Sequence, residues 1–243
     1  MSEMTEERRT AVGKIATTAG ILSFWTIVLG SAVAWLAYHG ARGESYSPLN
    51  HWISELGQLG VSARASTFNL GLVASGMEFV LFILGLAMVS RSRLRWVFGP
   101  IGAIAGLGGC FVGVYPMNNP DAHILAASTF FNLGWISVGI ASITFLRLPD
   151  PRFPRRLVVV GAATVVALVA FLVSLRVDEF TRNRMASSGP IVDRPEIWIG
   201  PILEWAVLVG IMVWTLLVSL RWAGDAPAKA AAAANHTALT RMA

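Results

Sequence analysis

His51, Ser54 and Glu55 stand at i, i+3 and i+4, the spacing that puts three side chains on one face of a helix. Asp121 and His123 follow a turn-forming PMNNPD segment at 116–121. Glu78 and Glu204 lie inside long apolar runs. A carboxyl beside an imidazole is an acid–base pair, so Glu204, His51, His123 and Glu55 are the candidate catalytic residues. Serine, histidine and an acid also serve acyl transfer, and two histidines with carboxylates can hold zinc. Neither HExxH nor GxSxG occurs, and no metal ion or cofactor is expected. A structural role stands beside each chemical one: Ser54 suits the cap of a turn, and Asp121 suits the N-cap of a helix.

Two amides extend the set. Asn69 closes ASTFNLG (65–71), and Asn132 closes a near-copy, ASTFFNLG (127–134). An amide within hydrocarbon needs a partner, so both are expected to face the interior. There they serve either helix–helix hydrogen bonding or a polar pocket. Asn50, Ser54, Asn69, Asp121, Asn132 and Trp205 form the candidate ligand-binding set.

The elements that must position these groups follow from composition. The chain has 243 residues, 55% hydrophobic and only 14% charged, with mean hydropathy +0.62. Soluble domains carry about 25% charged residues. The apolar residues lie in runs long enough to cross a bilayer, which needs about 20 residues as a helix. The expectation is an all-α polytopic membrane protein with six transmembrane helices in antiparallel hairpins. The spans fall at about 14–38, 65–89, 96–115, 122–146, 157–175 and 196–222, between a 1–13 tail and a disordered 223–243 tail. The first run exceeds the roughly 7–15 residues of a signal-peptide core, so it is read as a retained span. Trp52, Ile53, Leu56 and Leu59 suggest a short amphipathic helix between the first two spans, lying on the membrane or capping the bundle. The third span carries Gly102/Gly106 and Gly109/Gly113, a spacing that lets helices approach closely. Cys110, the single cysteine, excludes an internal disulfide and reads as a small packing residue.

The net charge of +5 does not signal nucleic acid, because the basic residues sit between apolar runs. Of 19 Lys and Arg, 13 fall in the N-terminal tail, the 90–95 loop, the 147–156 loop and the C-terminal tail, counting Lys14 and Arg221 at the edges of the tails. The positive-inside rule therefore puts both termini in the cytoplasm. The polar 41–64 stretch, PMNNPD and the 176–195 loop then face outward.

NHWISELG (50–57), the FNLG opening of the second span, GVYP (113–116) and His123 followed by AAxxF (126–130) occur in order. In these features the chain resembles the bacterial membrane family called domain of unknown function 998, over most of 15–220. It is more distantly similar to the Frag1/DRAM/Sfk1 membrane proteins. There Ile53, Ser54, Glu55 and Gly57 would match an ISD-x-G-like motif, with Glu in place of Asp, and His123 would match a histidine opening the fourth span. That likeness implies a lipid partner. The leading expectation is an outward-facing polar pocket for a membrane lipid or amphipathic small molecule, lined by His51, Glu55, Asn69, His123, Asn132 and Glu204. The alternatives are a membrane-embedded acid–base enzyme acting on lipid, a small transporter with Glu78 as an inner station, and a structural partner with no ligand.

Overall fold

In the computed structural model the described residues are 5–147, 156–177, 190, 191 and 193–242, with side chains described as far as Ala223. The PDPRFPRR loop up to Arg155 and most of the 176–195 connection lie outside them. Six helices follow in order: α1 (Glu6–Leu36), α2 (Ala65–Val89), α3 (Arg95–Val114), α4 (Pro120–Arg147), α5 (Arg156–Val177) and α6 (Ile199–Met242). All six are long and apolar enough to cross a membrane. Among the described residues there is no strand, only an isolated antiparallel bridge between Tyr38 and Ser62. The protein is therefore an all-helical, multi-pass membrane protein.

Helix ends follow local chemistry more than hydropathy. The expected first span starts at about 14, yet α1 begins at Glu6, because the Thr5 side chain accepts from the Arg8 amide at 3.4 Å and Glu6 and Glu7 occupy the first turn. At 31 residues α1 is about 46 Å long, well beyond the roughly 30 Å hydrocarbon core. α4 opens at Pro120, and the Asn119 side chain accepts from the Ala122 amide, so Asn119 rather than Asp121 caps it. α6 begins three residues later than expected and continues to Met242 through the alanine-rich run.

Each helix packs on the next, α1 on α2 through α5 on α6, and α6 returns to α1, closing a ring. The buried face of α1 is made of small residues such as Ala16, Gly20, Ser23, Gly30 and Ala34. Without a hydrophobic force between helices in lipid, close backbone approach supplies the attraction. At Gly30 a Cβ would stand 3.4 Å from the Gly71 Cα, so α1 and α2 touch through their backbones. Gly76 has the same role toward α3, where a Cβ would lie 2.8 Å from the Cys110 amide nitrogen. Ser23 donates to the Ser75 carbonyl and Ser137 to the Phe98 carbonyl, adding cross-helix bonds at 2.9 and 2.8 Å.

One end of the ring is filled by Phe82, Ile83 and Leu86 of α2, Phe98 of α3, and Trp214 and Val218 of α6, all with almost no exposed surface. The other end is closed by the 37–64 connection, which folds back into the bundle. Its core is a 3-10 turn, Ile53–Gly57, with every residue buried. Of the two expected placements for the short helix, on the membrane or capping the bundle, the structure shows the second, as a five-residue plug. Glu55 explains the tight turn: its carboxylate accepts from the Trp52 amide at 2.8 Å.

Candidate functional site

The plug and the residues flanking it are bonded to three elements. The Asn69 amide of α2 donates to the Gly57 carbonyl at 2.9 Å. Asn118, in the α3–α4 turn, pairs with Leu59 in both directions, at 2.8 and 2.9 Å. The Trp198 amide, at the start of α6, donates to the Leu49 carbonyl at 2.8 Å. Glu204, on α6, accepts from the Ile53 amide at 2.7 Å.

A cation buried beside the plug holds it down. Arg194 Nη1 lies 3.0 Å from Glu55 Oε1, and both of its terminal nitrogens reach Oε2 at 3.1 Å. Arg194 also donates to the carbonyls of Asn50 and Ile191, and Tyr38 donates its hydroxyl to Glu55 at 3.3 Å. Burial pushes the Glu55 carboxyl up to about 7, against the opposing pull of Arg194. Burial, then the charge of Arg194, brings His51 down to about 4, so its imidazole is neutral at neutral pH. Burial and the neighbouring carboxyls raise the Tyr38 and Tyr46 phenols, keeping both as hydrogen-bond donors. Tyr46 donates to the His51 carbonyl at 3.2 Å and accepts from the Trp205 indole at 2.7 Å.

Beneath the plug lie two cavities that share one polar wall. The first, about 80 Å³, runs between α1, α2, α3, α4 and α6, past Phe68, Phe79, Leu208 and Met212. The second, about 70 Å³, runs along α4 and α5 past Trp52, Met117, Phe171 and Leu175. Ser54, His123, Ala127, Phe131 and Glu204 line both. His123 Nδ1 lies 2.8 Å from the Tyr115 carbonyl, which only accepts, so Nδ1 carries the proton and Nε2 is the acceptor. Ser54 makes a weak contact with the Met117 sulfur at 3.3 Å. No direct hydrogen bond joins Ser54, His123 and Glu204 to one another.

The sequence-predicted residues therefore separate. Glu204, His123 and Ser54 come together at the cavities. His51, Ser54 and Glu55 do not share a face: the turn begins only at Ile53, so His51 points to Tyr38 and Tyr46 while Glu55 points to Arg194. Asn50 contacts His51 Nδ1 at 2.8 Å and donates to the Pro195 carbonyl. Asn69 secures the plug, and Trp205 supports Tyr46. Asp121 is exposed and lines neither cavity.

Asn132 is exposed, and its amide donates to the Ser128 carbonyl on its own helix. The near-copy motif holds one extra phenylalanine before the asparagine, which turns it about 100° around the helix. Phe131 takes the inward place instead. Glu78 meets Thr26 at 3.3 Å between α1 and α2 and lines neither cavity. Arg194 is the residue sequence reasoning missed. A carboxyl in a segment expected to turn inward is the signal that a cation must meet it. No group of three or more His, Cys, Asp or Glu side chains is placed to hold a metal among the described residues.

This fold and site define a polytopic helical membrane protein with a plugged ring and an apolar, two-armed interior. Residues 11–221 match the family model described as protein of unknown function (DUF998), and the chain belongs to that family. No curated protein and no solved structure matches the chain.

Proposed function

We propose that this protein binds a membrane lipid or another amphipathic molecule in the cavities beneath the plug, in a bacterial plasma membrane, with both termini cytoplasmic and the plugged end outward. The observation that carries this reading is the shared wall: two apolar arms meet at Ser54, His123 and Glu204, with the rest of the lining mostly hydrophobic. An amphipathic ligand needs that division between a long apolar container and a few fixed polar groups. The concentration of basic residues in the connections of the opposite end supports the orientation. Native mass spectrometry of gently extracted protein, with lipid identification, tests the reading. Wild type should carry lipid, and Glu204→Gln should carry less. Bare protein in both samples would sink it.

A second reading, an acid–base enzyme acting on such a ligand, is favoured by one observation: Glu204 and the His123 imidazole line the same space. His51 lines neither cavity and takes no part in it. Turnover of a bound lipid by wild type, abolished in His123→Gln, would select it. The position of Glu78 between α1 and α2 gives the transporter reading no support.

A further inference from the structure

We propose that the ligand is an uncharged glycerolipid of the diacylglycerol kind, seated with its polar centre at Ser54, His123 and Glu204 and one acyl chain in each arm. This rests on the lipid-binding reading above and names the class of lipid.

Three observations carry it. First, the two cavities are of similar size and share five lining residues, among them the side chains of Ser54, His123 and Glu204. The container is therefore apolar at both extremes and polar at the junction. A fatty acid or a long-chain alcohol has its polar group at one end and would leave an arm empty. A two-chain glycerolipid has its polar group between the chains.

Second, among the described residues no Lys or Arg lines either cavity. The buried guanidinium of Arg194 is taken by Glu55 and by the Asn50 and Ile191 carbonyls. A phosphate headgroup at this junction would be desolvated beside a carboxyl with no counter-charge, which is strongly unfavourable. An uncharged headgroup avoids that cost.

Third, the junction holds both acceptors and a donor. His123 Nε2 and the Glu204 carboxyl accept from a ligand hydroxyl. Trp52 lines the second arm, is almost wholly buried, and its indole Nε1–H has no partner. A buried donor left unpaired is unfavourable, and an ester carbonyl would satisfy it. One free hydroxyl and two ester carbonyls flanked by two chains is the diacylglycerol pattern.

The experiment presents the full-length protein in nanodiscs with diacylglycerol, phosphatidate and fatty acid of matched chain length, read by native mass spectrometry. The expected result is one diacylglycerol per protein, held at least about tenfold more tightly than phosphatidate, or about 1.4 kcal/mol. Ala127→Phe, at a position shared by both arms, should abolish retention while a thermal melt stays cooperative. Met212→Trp fills only the first arm, and should lose diacylglycerol but keep a monoacylglycerol. Equal or tighter binding of phosphatidate or fatty acid, lost in Ala127→Phe, would overturn the uncharged headgroup and leave lipid binding standing. Diacylglycerol retained unchanged by both variants would place it on the outer surface of the helices and overturn the two-arm seating. No lipid on wild type would overturn both this inference and the reading on which it rests.

Discussion

Arg194 and Glu55 meet across 139 residues of sequence, with exposures of 9% and 1% for their side chains. Two charges taken out of water repay their desolvation only when each is held by the other, so removing one partner should cost more than removing both. Arg194→Met is expected to lower stability by about 3–5 kcal/mol, and the double variant Glu55→Met/Arg194→Met to recover much of that. Unfolding in mixed micelles, run as a double-mutant cycle, measures the coupling; additive single costs would mean the pair is not a unit. His51 and Glu55 carry opposite pH dependences. His51 is lowered to about 4 from 6.5, so its contribution is full above 6.5 and is lost as pH falls through 4. Glu55 is raised to about 7 from 4.5, so its contribution is full below 4.5 and is lost as pH rises through 7. Each amounts to about 3 kcal/mol, and the two oppose one another between pH 4.5 and 6.5. Wild-type stability from this pair should be nearly flat over that range. His51→Gln should unmask a decline from pH 4.5 to 7. A decline already present in the wild type, unchanged in the variant, would show that His51 is not titrating as its burial requires.

At the scale of elements, the two asparagine motifs make the sharpest contrast. Asn69 fastens the 3-10 turn to α2, and a Cβ on Gly57 would crowd its side-chain oxygen, so the two residues are fitted to each other. Asn69→Ala should cost about 1–3 kcal/mol by leaving the buried Gly57 carbonyl unpaired, whereas Asn132→Ala on the outer face of α4 should sit near zero. Equal costs, read from thermal melts of the two variants, would refute the assignment. The contrast also shows what was legible in the sequence. Six apolar runs mark the six helices, because a bilayer imposes length and composition on every crossing, while the helix ends, such as the start of α1 at Glu6, follow local capping instead. The glycine spacing of α3 likewise marks a packing face, which Gly102 and Gly106 provide against Ile83 and Val80. What the sequence hides is rotation and distant pairing. One inserted phenylalanine moves Asn132 from the inner to the outer face while the local motif stays recognisable. A turn of three residues rather than 3.6 separates Ser54 from Glu55 and leaves His51 outside the element. Arg194 looks like one more loop charge until its partner is known. Of the candidate site, Glu204, His123 and Ser54 were visible as polar residues in apolar surroundings. Their meeting at a shared wall depends on the ring closing α6 onto α1, which no local pattern encodes.

At the scale of the whole molecule, the ring and its plug make the two ends unlike. One end is packed with Phe82, Phe98 and Trp214, and the ionic latch and cavity junction belong to the other. Under the proposed lipid-binding function, the compartment that the plugged end faces decides which lipid pool would be sampled. The basic connections support the proposed orientation, since Arg91, Arg93 and Arg95 precede or open α3 at the end opposite the plug. Arginine in short loops resists translocation, so these connections should stay in the cytoplasm. Single-cysteine labelling of intact cells with a membrane-impermeant maleimide reads this directly, in a background where buried Cys110 is replaced by Ala. Ser45→Cys and Leu59→Cys, both exposed beside the plug, should label in intact cells. Ser92→Cys, in the α2–α3 connection, should label only after the membrane is permeabilised. The reverse pattern would turn the cavity junction toward the cytoplasm and make the inner-leaflet lipid pool the one the protein samples.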